Sequence, residues 1–109
     1  MKYVKKVSVI PTEYQGESFA KALGKTSGLI WDANEIGTYE VVDGTGTVVS
    51  SGALSKSIDN LSLIVVIPAS DTSALLGDYL LLVHLNDSID AEFSDVIGEY
   101  KMSYKERKA

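Results

Sequence analysis

Cysteine is missing altogether from these 109 residues, and proline occurs only twice. Without thiols there can be neither a disulfide framework nor a thiolate metal site, so the fold must hold by packing alone. A chain of this length can bury roughly two-thirds of its unfolded surface, enough for one core in a single domain spanning residues 1–109. Long hydrophobic runs are lacking as well. The longest, residues 63–67 and 79–83, fall far short of the ~20 residues that span a bilayer. The N-terminal lysines precede an apolar stretch, residues 7–10, that Pro11 ends too early for a signal peptide. A soluble, unexported protein with no membrane partner is expected.

Bases are scarce in the body of the chain. Residues 26–100 hold twelve acidic side chains against Lys56 alone, whereas residues 1–25 and 101–109 each carry a net charge of plus three. Nucleic-acid affinity comes from clustered Lys and Arg neutralising phosphates, and an acidic body offers no such face. Nucleic acid is therefore excluded as a partner. The basic ends read as solvated termini or, for the final residues YKERKA, as a segment that docks on an acidic neighbour.

Apolar residues recur with period two, and Gly, Asp, Asn and Ser punctuate them. Strands are expected over residues 3–10, weakly over 18–23, then over 38–42, 47–54, 61–67, 79–85 and 93–104. DGTG, residues 43–46, makes the hairpin turn between the third and fourth. Residues 24–37 read as a loop or short edge strand, and residues 71–76 as a helical turn capped by Asp71 or Ser73. Leu61, Leu63, Val65 and Ile67 share one face, as do Tyr79, Leu81, Val83 and Leu85. In the last strand Val96, Tyr100, Met102 and Tyr104 are expected inward, with Glu99, Lys101, Ser103 and Lys105 toward water. About seven short strands with no amphipathic helix between them point to an all-β, antiparallel, immunoglobulin-like sandwich.

The stretch LLGDY, residues 75–79, carries the parts of a sandwich corner. Leu75 plugs the end of the core, Gly77 turns the chain, and Tyr79 enters the next strand with its hydroxyl free to bond back to the backbone. Together with Thr72, and with Asp43 and Gly46 in the hairpin, these residues resemble a known family pattern over about residues 38–85 of this chain. It is that of the Ig-like and fibronectin-like domains of tailed-bacteriophage virion proteins, found in baseplate, neck, fibre-attachment and capsid-decoration components. The resemblance implies a virion location after assembly in the host cytoplasm, other capsid or tail proteins as partners, and no turnover.

Candidate chemistry is thin. A single histidine, His84, excludes a two-histidine metal site within one chain, and it reads as a partly buried or surface residue on the face opposite Tyr79 and Val83. Asp87, Asp90, Glu92 and Asp95 are oxygen ligands of the kind calcium takes, yet they lack the D-x-D-x-D-G spacing, so no metal and no cofactor are assigned. GKTSG, residues 24–28, lacks the earlier glycine of a phosphate loop and is read as a turn. No nucleophile, base and orienting group can be assembled, which argues against an enzyme. Trp31 is read first as a core plug at one end of the sandwich, and otherwise as an exposed aromatic anchor for a partner or sugar.

The outward faces of sandwich strands should be polar, yet Ile64, Val66, Leu80 and Leu82 point away from the inner rows. Either residues 12–36 fold over them, or another protein does. With Trp31 these are the candidate partner-binding residues. The expected function is a non-enzymatic virion assembly module that binds other virion proteins or itself as a homo-oligomer. The alternative is a carbohydrate- or ligand-binding module that uses Trp31 and loop carboxylates.

Overall fold

The computed structural model describes residues 6–24, 30–89 and 94–106. Nine strands and one helical turn follow one another there: β1 Lys6–Val9, β2 Glu13–Tyr14, β3 Phe19–Gly24, β4 Glu35–Val42, β5 Val48–Ala53, β6 Ser55–Lys56, β7 Ser62–Ile67, α1 Ala69–Thr72, β8 Gly77–Asp87 and β9 Ser94–Lys105. They form two sheets. One runs β1-β9-β8-β4-β5 with β2 also against β9, and the other runs β3-β7-β6. In the terms of an immunoglobulin-like sandwich, β3, β7 and β6 stand where strands B, E and D would. β9, β8 and β4 stand for G, F and C, with β5 extending that sheet as in the variable type. The antiparallel expectation needs one correction. β1 and β2 both run parallel to β9, so the larger sheet is mixed. Pro11 lies in the bend between these two short strands; lacking an N–H, it cannot continue a ladder.

The core lies between the sheets. Tyr39 and Val41 of β4, Leu81, Val83 and Leu85 of β8, and Tyr100, Met102 and Tyr104 of β9 face Phe19 and Leu23 of β3 and Leu63, Val65 and Ile67 of β7. Strict alternation puts them there, because a strand sends every second side chain to the same side. Two glycines make room for the aromatic rings. A Cβ on Gly52 would fall 2.9 Å from the Tyr39 ring, its partner across β4–β5, and one on Gly98 would fall 2.7 Å from the Tyr100 ring.

Several expectations shift in detail. Val96 does not face inward. The β8–β9 register jumps from Val83↔Gly98 to His84↔Val96, so Ile97 is the extra residue of a β-bulge. Ile97 is buried in Val96's stead, and Val96 turns to the outside with His84. Leu61 lies before β7 and is exposed, its N–H bonded to Asp59 rather than to a strand. The helical turn begins at Ala69, two residues before the expected start. Pro68, with φ of −67°, occupies the N-cap position without a side-chain cap, and Asp71 sits in the first turn instead. Its carboxylate accepts from Ser50 Oγ at 2.8 Å, and Ser50 Oγ lies 3.4 Å from Tyr39 Oη, so a half-buried polar chain joins β4 and β5 to α1. The start of the expected first strand, Phe93, Asp90 and Glu92, most of GKTSG, Leu29 and the last three residues fall outside the described residues.

The corner forms as LLGDY implies. Tyr79 Oη accepts from the Leu76 N–H at 2.9 Å and donates to the Leu76 carbonyl at 3.0 Å. Leu75 is buried, Gly77 takes φ of +100°, and the Tyr79 ring meets Tyr104 edge-on at 6.1 Å. Thr72, fully buried, donates to the Glu17 carbonyl at 2.9 Å and so ties α1 to the β2–β3 connection. At the other end Trp31 closes the core.

Candidate interaction surface

Trp31 is 2 % exposed, its indole N–H donates to the Leu23 carbonyl at 3.2 Å, and its backbone N–H donates to the Asn60 carbonyl at 2.8 Å. The turn behind it is fixed by Glu35, whose Oε1 accepts from the Asp32 N–H at 2.8 Å. Trp31 is therefore the core plug and not an exposed anchor. No face of the ring is left for a sugar or a partner.

The four outward aliphatic residues do not form one patch. Leu80 and Leu82 project from the outside of the large sheet, while Ile64 and Val66 project from the outside of the small one, on the opposite side of the sandwich. Ile64 and Val66 share their face with Ala22 and Ala20, their partners on β3. Nor do the described residues of 12–36 cover either face. They build β2 and β3 at sheet edges and the loop that carries Trp31.

The large sheet's outer face is the broader of the two. Register sets Leu80 between Val42 and Lys101, Leu82 between Glu40 and Glu99, and His84 between Thr38 and Val96. Val7 and Val9 stand beside Glu99 and Lys101, and Val48 beyond Val42. Leu80 and Leu82 are half-buried because they lie on a central strand among longer side chains, whereas Val7, Val9 and Val48 on the flanking edges are exposed, at 65 %, 72 % and 46 %. Apolar and charged groups thus alternate across the face. Beside the tyrosine corner it is interrupted by two open hollows of about 310 and 230 Å³. Lys101 and Asp78 border both, with Val9 and Ser103 in the first and Val42, Asp43 and Leu80 in the second.

Polar groups on this face are mostly engaged with one another. His84 Nε2 lies 2.7 Å from Glu40 Oε1, close but not in an aligned hydrogen bond. Thr38, across from His84, accepts from Asn86 Nδ2 at 3.4 Å. Asp78 accepts from Ser103 Oγ at 2.7 Å. In the adjoining hairpin Asp43 Oδ1 accepts from Thr45 Oγ1 and from the Thr45 and Thr47 N–H groups, with Gly46 at φ of +86° closing the turn. The Thr45 hydroxyl, and then these N–H groups, hold the Asp43 carboxyl below the usual aspartate value.

Among the described residues no three or more His, Asp or Glu side chains gather as a metal site. Asp87, the last residue of β8, accepts from Asn34 Nδ2 just before β4 at 3.1 Å and from the nearby Ile89 N–H at 2.8 Å. No helix among them is long and apolar enough to cross a membrane.

Sequence reasoning missed Lys21. It sits on the inner row of β3, half-buried, with its ammonium 5.0 Å from the centre of the Tyr100 ring, a cation–π contact at the open side of the sandwich. The alternation Phe19-x-Lys21-x-Leu23 contained the signal. Two buried phenols also lie in the core, and Tyr100 Oη and Tyr104 Oη find no protein partner there. Burial raises both, Tyr104 to about 12, with the charge of nearby Glu13 adding to the effect.

No protein-family model matches the chain, and no curated protein does. Solved structures do. CopC from Methylosinus trichosporium OB3b is similar with a TM-score of 0.54 and 18% identity, over 90% of this chain and 87% of that one. Fibronectin(III)-like modules of CbhA from Clostridium thermocellum are similar with a TM-score of 0.53 and 16% identity, over 94% and 93%. At such identities the likeness shows the fold: an immunoglobulin- and fibronectin-like β-sandwich. Neither likeness bears on the resemblance to phage virion domains.

Proposed function

We propose that this chain is a non-enzymatic structural module of a tailed-phage virion, which binds other capsid or tail proteins through the outer face of its large sheet. One observation carries the reading. Leu80 and Leu82, with Val42, Val48, Val7 and Val9, form an apolar face that no described part of the chain covers. Apolar side chains gathered on one outer face and rimmed by polar groups mark interaction sites on stable proteins. The charges interleaved with it, Glu40, Glu99 and Lys101, suit a partner met in a fixed register, because mismatched like charges are costly. Sandwich modules of this fold host many roles, so the assignment to a virion rests on the Thr72, Leu75, Gly77 and Tyr79 pattern together with the hairpin.

The test is co-sedimentation of the purified chain with phage particles assembled without it. Binding is expected, and Leu82→Glu, which alters an outward side chain and leaves the core alone, is expected to weaken it at least tenfold. Absence of binding by the unaltered chain, or binding indifferent to Leu82→Glu, would refute the reading.

A further inference from the structure

The geometry points to a second copy of this chain pairing with the edge of β5 that no described strand pairs, forming a twofold dimer whose large sheets are continuous. An unpaired edge strand offers a row of N–H and C=O groups to another chain, and natural proteins blunt such edges with lysine, proline, inward charge or shortness. The other edges here carry those devices. β1 follows Lys2 and Lys5, begins with Lys6 and is stopped by Pro11, and β2 has only two residues. β3 turns Lys21 inward, and β6 has two residues, one of them Lys56. β5 reads VVSSGA, six residues with no charge and no proline. A bulge disturbs its start, where Val42 pairs with Val48 and Val41 with Ser50, leaving Val49 unpaired. From Ser50 onward the strand is regular.

Its open hydrogen-bonding groups can be named. The Leu54 N–H donates to the Gly37 carbonyl at 2.8 Å, and Ala53 stands opposite Thr38, so Gly52 and Ser50 are the residues bonded to β4. Ser51 and Ala53 therefore turn their N–H and C=O groups to the open edge. The spacing suits a second copy. With a twofold axis through Gly52, Ser51 of one copy exchanges both bonds with Ala53 of the other, and the reverse pair does the same. Small, exposed, uncharged side chains meet across that axis, so a chain of net charge −5 brings none of its carboxylates into the junction on this strand. The axis stands perpendicular to the sheet, which places the two outer faces side by side. The edge is a separate surface from the Leu80 and Leu82 face, so either can fail alone.

Analytical ultracentrifugation up to millimolar chain, with amide hydrogen exchange, tests the pairing. A dimer is expected in which the Ser51 and Ala53 amides gain protection as concentration rises. Ser51→Lys sets two like charges beside the axis and is expected to weaken dimerisation at least tenfold, with an unchanged melting curve for the monomer. Ser51→Pro removes an N–H that β4 does not use and should do likewise. Leu82→Glu should leave the dimer intact. A chain that stays monomeric at millimolar concentration, a dimer that survives Ser51→Lys, or protection that ignores concentration would each overturn the inference.

Discussion

Replacing Tyr79 with phenylalanine removes a single oxygen and should lower stability measurably, because that oxygen closes the corner between α1 and β8. It accepts from the Leu76 N–H at 2.9 Å and donates to the Leu76 carbonyl at 3.0 Å. A typical intramolecular hydrogen bond contributes about 0.5–1.5 kcal/mol net, so the pair is worth roughly 1–3 kcal/mol. Leu76 is 55 % exposed, which lets water take the freed backbone groups and favours the lower half of that range. The ring itself stays against Tyr104, so no cavity term is added. For a domain near this size each kcal/mol lowers the melting temperature by about 4–8 °C, and a fall of roughly 5–10 °C is expected. Urea titration followed by far-ultraviolet circular dichroism should show a lower midpoint with an unchanged m-value, since the surface exposed on unfolding does not change. A midpoint indistinguishable from that of the unaltered chain would mean the two bonds contribute nothing beyond what water supplies, and the corner would be a consequence of the fold, not a support.

Leu75→Ala empties a site that is 2 % exposed and should cost about 2–5 kcal/mol, more than Tyr79→Phe, which chemical denaturation would rank. Trp31 is the only tryptophan and is buried, so native emission should be blue-shifted and resist acrylamide; a red, readily quenched spectrum would contradict its place in the core. Gly98→Ala puts a methyl 2.7 Å from the Tyr100 ring and is expected to destabilise by about 1–3 kcal/mol through overpacking, whereas Gly44→Ala, with open space around it, should move the melting temperature far less. Tyr104 ionises at about 12 in the folded chain against about 10 when unfolded, so the folded state holds its proton longer and stability falls as pH rises from 10 to 12. The loss should approach roughly 2–3 kcal/mol at the upper end, read from urea melts at each pH, and Tyr104→Phe should flatten that slope.

Much of this fold is written in local pattern. Rows such as Leu63, Val65 and Ile67 or Leu81, Val83 and Leu85 alternate cleanly, and a buried face demands that alternation. The corner is legible because positive φ at Gly77 and a tyrosine two residues later are both chemical requirements. The bulge is not, since Val96 and Ile97 are both apolar and branched, and only the pairing with β8 decides which one is the extra residue. The parallel strands β1 and β2 escape for a similar reason: four and two residues show no difference between parallel and antiparallel partners until β9 lies beside them.

The candidate site shows where such pattern stops. Alternation tells which residues of one strand share a side, but it does not assign the strand to a sheet. β7 and β8 are neighbours in sequence and lie in different sheets, with α1 and the corner carrying the chain across the core between them. Their outward sides consequently point in opposite directions, so Ile64 and Val66 cannot serve the same partner contact as Leu80 and Leu82. A partner that grips the β8 face meets a surface bordered by the edges β1 and β5, whereas one on the β7 face meets the small alanines of β3. If Val66→Glu and Leu82→Glu abolished binding of one and the same small partner, this separation would be untenable; an effect from Leu82→Glu alone is what two opposed faces require.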